Sequence, residues 1–345
     1  MVTPGTVKAS LAFVAIVFVE LEFPSALAAQ AWVPPKGEGN YSISYQNLFV
    51  RDHFFSDGSR HDVGHIRLHG MLQELDYGLT EKVAVRISLP FMLGKYKGQF
   101  PHVNLENTDD GHYRGTFQDF RFSVRYNLRT RPFVVTPVIE GIVPSHQYEQ
   151  FAHSAAGFDL RELRLGLSAG RRLNPILPRA FFQTRYSYAV VERHLGVRPN
   201  RSIVSSEFTY FMTKRLSLSA LETLQLTHSG LNFPQDFPSR ADERWIRHAQ
   251  ISKINFLDLG FGAGLAITKS VELFGAALTD AWGENGHALN RGLVFGINWN
   301  FRTRRFVGQA FAPESCNVVC RKCQRVFEQP ASDNATLTSS LASSL

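Results

Sequence analysis

The residues best suited to chemistry are three cysteines, Cys316, Cys320 and Cys323, and twelve histidines. Cys-x-x-x-Cys-x-x-Cys is the spacing in which three thiolates hold a radical-type iron–sulfur cluster. Here it lies in a polar tail with no α/β pattern around it. Gln324 follows Cys323, which excludes a c-type haem attachment. Zinc would need a fourth ligand. The expectation is no metal and no cofactor. Imidazole binds transition metals and titrates near neutrality. All the histidines except His69 fall in or near expected loops, and no His-x-x-x-His spacing falls on an expected helix. They read as polar loop residues. A serine hydrolase needs a hydroxyl within reach of an imidazole. His153-Ser154 and His228-Ser229 are adjacent, so on a strand their side chains point apart, and no His-x-Ser pair occurs. No catalytic residue is expected, and the chain reads as a non-enzyme.

The elements that would position any site are strands. From Leu289 to Phe301, Leu293, Phe295, Ile297, Trp299 and Phe301 share one face, while Val294, Gly296, Asn298 and Asn300 share the other. Large apolar residues on one face and small or polar ones on the opposite face suit lipid outside and a wet interior. The same alternation recurs upstream. Phe120, Phe122, Val124, Tyr126 and Leu128 interleave with Asp119, Arg121, Ser123, Arg125 and Asn127. Leu163, Leu165 and Leu167 interleave with Glu162, Arg164 and Ser168. Twelve strands are predicted, with Trp245 to Ile267 taken as one long strand that projects beyond the membrane. No convincing amphipathic helix is expected, a bulge is expected near Leu75, and Glu222 on the apolar parity has no explanation. Turns at Gly78–Thr80, Arg129–Arg131, Thr213–Arg215 and Thr268–Ser270 are short, and the connections between them are longer. An even strand count with short turns at one end and long loops at the other predicts an all-β, transmembrane, antiparallel up-and-down β-barrel.

The composition agrees. The chain has 345 residues, 44% of them hydrophobic and 12% aromatic, and no run of eighteen apolar residues. Its formal net charge is +7, but Lys and Arg are scattered through strands and turns, so nucleic acid is not expected as a partner. Lys8, the apolar run Leu11–Val19 and Ala26-Leu27-Ala28 read as a cleaved signal peptide over residues 1–28. The expected organisation continues with a periplasmic lead-in at 29–38, the barrel at 39–301 and a disordered Ser/Thr/Ala-rich tail at 302–345. Twelve strands about 4.8 Å apart and tilted about 40° give a backbone radius near 12 Å. Such a lumen would admit one small solute.

An ordered set of short motifs runs from Trp32 to Phe301: Gly37-Glu38-Gly39, Tyr77-Gly78-Leu79-Thr80, Leu89-Pro90, Asp110-Gly111, Pro144-Ser145-His146, Gly170-Arg171 and Gly286-His287. In this order they resemble the outer-membrane protein family named for the meta-pathway of phenol degradation. The resemblance implies residence in the bacterial outer membrane and passage of small solutes, including aromatic compounds. The tail beyond Phe301 departs from the family.

The expected function is a passive or gated channel. The alternatives are a structural or adhesive barrel, or a lipid-modifying enzyme. Expected partners are outer-membrane lipid and lipopolysaccharide, the barrel assembly machinery and a small-molecule solute. Strand parity predicts a lumen lined by Arg67, Arg86, Asp119, Arg121, Arg125, Glu140, Glu162, Arg164, Arg185 and Glu207. The first arginines would form a basic wall beside a mixed one, favouring anions. Trp299 and Phe301 are the expected assembly signal.

Overall fold

Burial alternates residue by residue along the strands of a computed structural model that describes residues 31–98, 109–148, 157–234 and 242–303. The strands are β1 (Glu38–Phe54), β2 (Arg60–Gly78), β3 (Val83–Lys97), β4 (Arg114–Phe117), β5 (Phe120–Tyr126), β6 (Val134–Val143), β7 (Glu162–Arg172), β8 (Ala180–Val191), β9 (Arg201–Phe211), β10 (Leu216–Thr227), β11 (Asn255–Ala266), β12 (Val271–Glu284) and β13 (Gly286–Arg302). Each pairs antiparallel with its neighbours, and β1 pairs with both β2 and β13, so the sheet closes on itself. Closure leaves no unpaired edge. β4 and β5 both lie against β3 and together make one stave, so the barrel has twelve. The break has a cause in β3. Pro90 has no N–H to give the ladder, but its carbonyl still accepts from Gln118 N at 2.9 Å. Pro137 is accommodated differently: the β5–β6 ladder ends one residue before it, at Arg125↔Val138.

Three of the short turns use one device. Thr80, Thr213 and Thr268 each turn a side-chain oxygen back to accept from the backbone N–H groups two and three residues on. This satisfies donors that the tight turn would otherwise leave open. These turns define one end of the barrel, and the long connections define the other.

Ile87, Phe122, Ile139, Leu165, Phe261, Phe295 and Trp299 are exposed on the outer face. Monomeric soluble proteins rarely show so continuous an apolar surface. Glu222 keeps this outer parity, because β10 runs against β9 and β11 without a register shift. It stands across from Ser206, whose hydroxyl meets Thr184, so the belt carries a small polar notch there.

Two expectations fail. Residues Trp245 to Lys253 are not strand: α1 (Glu243–Ile246) and α2 (His248–Ile251) precede β11. Trp245, His248 and Ile251 are spaced three apart, which puts them on one helical face, and Trp245 and Ile251 pack on Phe55 and Phe233. Strand alternation therefore stops before Asn255. No bulge occurs at Leu75, which stays in register with Tyr41. The irregularity lies on β1, between Val50 and Asp52. The signal peptide, Glu106, Gln150 and Phe237 in the expected long connections, and the three tail cysteines lie outside the described residues.

Candidate functional site

The inner face carries a belt of charges that pair across the staves. Arg125, buried on β5, donates to both carboxylate oxygens of Asp76 on β2, to Oδ2 at 2.5 Å. Arg86 on β3 stands 3.7 Å from Asp76 and 3.9 Å from Glu74, which also accepts from Ser88 at 3.0 Å. Further round, Arg164 lies 2.9 Å from Glu162 and 3.6 Å from Glu140, and Arg185 lies 3.2 Å from Glu140. Arg201 closes on the other oxygen of Glu162. Glu207 accepts from Gln183 at 2.5 Å and from Thr209 at 2.6 Å. Tyr148 donates to Asp119 at 2.6 Å. Arg121 keeps the inward parity of Asp119 and Ser123.

One expected lining residue is misplaced. Arg67 is exposed on the outer face, with its guanidinium 5.1 Å from the centre of the Phe49 ring. The inward set on β2 is instead Ile66, Leu68, Leu72, Glu74 and Asp76. The parity reading assumed that the apolar face of every strand meets lipid. Toward the long-loop end that assumption breaks, because Leu48, Val50, Ile66, Leu68, Met92, Tyr96, Phe256 and Leu289 form an apolar cluster inside the barrel. The expected basic wall fails for the same reason. Glu74 and Asp76 stand among its arginines, and β2 read in the wrong phase hides them. Arg201 was also missed, at the first position of β9.

The lead-in enters the barrel at the short-turn end. Gly37 N donates to Gly78 O on β2 at 2.9 Å. From there the chain crosses the mouth to the far wall. Ala31 N donates to Gln183 on β8 at 3.0 Å, and Thr136 on β6 donates to Ala31 O at 2.6 Å. Ala31 is fully buried, and Trp32 lies edge-on to Phe181. Glycines make the room. A Cβ on Gly170 would fall 2.7 Å from Ala31 and 2.8 Å from Trp32, and one on Gly78 would fall 2.2 Å from Pro35 O.

The β10–β11 connection, with α1 and α2, covers the opposite mouth. It packs on Phe55 beyond β1, and Gln250 donates to Phe158 O across the opening at 2.7 Å. Burial lowers the pKa of His194 at the β8–β9 loop, and the charge of Arg247 in this cover lowers it further. Sequence spacing also missed a hydroxyl–imidazole pair, because Ser202 lies on β9 and His228 just beyond the end of β10, far apart in the chain. Ser202 Oγ is 2.7 Å from His228 Nε2 and 3.0 Å from Tyr186 OH.

The sequence matches no protein-family model and no curated protein. The structure is similar to that of an outer membrane channel from Pseudomonas putida F1, with a TM-score of 0.60 and 12% identity over 78% of this chain and 97% of that chain. Lower similarity, a TM-score of 0.43 and 10% identity, links it to the NanC porin over 77% of this chain and 100% of that chain. The translocator domain of the autotransporter NalP from Neisseria meningitidis also scores 0.43 at 10% identity, over 78% of this chain and 90% of that chain. At such identities the first likeness establishes a fold, that of a closed antiparallel barrel.

Proposed function

We propose that the chain is an outer-membrane channel for small solutes, gated at its short-turn end by its own lead-in. The observation that carries this reading is the closed sheet itself, apolar outside and lined by paired charges inside. A wall of that kind suits lipid on one side and water on the other. The long-loop end would face outward, and the short turns and the lead-in would face the periplasm after removal of a signal peptide. Lipid, lipopolysaccharide and the barrel assembly machinery are the surroundings this reading requires. The apolar cluster around Tyr96 and Phe256 favours solutes with an apolar or aromatic part, bound above a charged belt.

Planar-bilayer conductance tests the proposal. Deleting residues 29–36 should raise single-channel conductance, and aromatic carboxylates should block the opened pore. If both full and shortened chains insert and conduct nothing, the barrel is structural or adhesive. The Ser202–His228 pair keeps a lipid-hydrolase reading open, and hydrolysis that is lost in Ser202→Ala would favour it.

A further inference from the structure

We infer that His53, His248 and His287 form a transition-metal site that fastens the β10–β11 connection to the β1–β13 seam. The three come from β1, α2 and β13, and one ligand nitrogen from each lies within 4.8 Å of the others. Their ring centroids are 5.0 to 5.5 Å apart. His53 and His287 are direct cross-strand partners. Before the irregularity at Val50 and Asp52, the even residues Ser44, Gln46, Leu48 and Val50 are buried on the inner face. Beyond it, His53 and Phe55 turn toward the cover. A bulge is a common means of re-aiming a side chain.

The donor set suits a metal. His248 Nδ1 lies 2.7 Å from Trp245 O, and a carbonyl only accepts, so Nδ1 carries the proton. That leaves the lone pair on Nε2, the arrangement metal-binding histidines use. Three neutral imidazoles select zinc, copper or nickel over magnesium and calcium. A tetrahedral zinc with bonds of about 2.0–2.1 Å needs its nitrogens about 3.3 Å apart. Small ring rotations would bring them that close. The fourth position would hold water, and His287 is the member that keeps solvent exposure. Phe55, Phe233 and Trp245 pack around the group.

The test is a zinc titration of the full chain in detergent, stripped with EDTA, against a chromophoric chelator. One site per chain should bind more tightly than the rest. His248→Ala and His287→Gln should each weaken it more than about tenfold. His65→Ala, exposed on the outer face, should not. Copper bound at the tight site should show coupling to several nitrogens by electron paramagnetic resonance, with fewer in each variant. His248 lies in a connection and not in the wall, so its variant keeps a heat-modifiable barrel. A tight site that survives both variants overturns the proposal, and so does the absence of any site tighter than that of the His248→Ala protein.

Discussion

Asp76 faces Arg125 and Arg86 together, so either arginine alone compensates only part of its charge. Removing one partner of a buried pair leaves the other charge stranded, which costs more than the pair contributes. Arg125→Gln should therefore lower stability by about 1–3 kcal/mol in urea unfolding from vesicles, because Arg86 still stands nearby. Asp76→Asn combined with Arg125→Gln should recover part of that loss. A purely additive pair would deny the coupling. His194 behaves in the opposite sense. Its folded pKa is lowered, so the folded state binds fewer protons than the unfolded chain as pH falls. Its contribution is full above about pH 6.5 and is lost as pH drops from there toward the folded value. Hydrogen exchange in the Trp245 segment should speed up across that window, and His194→Gln should flatten the dependence. At this scale the sequence was legible wherever the outer face is apolar and the inner face polar, as on β5 and β7. It misled on β2, where Ile66 and Leu68 look inward and Arg67 looks out.

Among elements, the lead-in depends on a wall that leaves it space. Gly170→Leu should expel Ala31 and Trp32 and so raise conductance as the deletion does, with heat-modifiable migration unchanged. Conductance that stays at the starting level would mean that the lead-in does not obstruct the pore. The closing strand also leans on a glycine. Phe301 covers Gly39 and stacks toward Tyr77, with ring centroids 6.4 Å apart. Phe301→Ala should remove about 1–2 kcal/mol of burial and reduce assembled barrel in the membrane fraction. Removal of residues 312–345 should leave assembly near normal. Strand number and turn placement were legible because alternation and the Thr turns are local signals. The cover was not. Trp245, His248 and Ile251 declare a helical face only once Phe55 and Phe233 are known to lie opposite.

For the whole molecule, the paired belt predicts a balanced field and not a basic one. Arg86→Gln with Arg121→Gln would expose Glu74 to the pore while Arg125 still holds Asp76. Reversal potentials in a salt gradient should then move toward cations in the shortened, conducting chain. An unchanged preference would assign these arginines a structural role only. Orientation has its own check. Cysteines placed at Asp57 should be labelled on intact cells, and those at Thr130 and Lys214 should not. The meeting of β1 and β13 carries one more consequence. Glu38 stands opposite Arg302, and Thr303 donates back to Gly37 O at 2.8 Å, so the two ends of the barrel chain adjoin. A linker that spans the mouth could join Thr303 to Ala31 and the chain could be reopened at Lys214, giving a circular permutant with the same staves in the same ring. In that molecule the crossing segment would become an internal loop anchored at both ends, unable to withdraw by sliding free. A permutant that folds but stays shut would mean that passage requires a loose end.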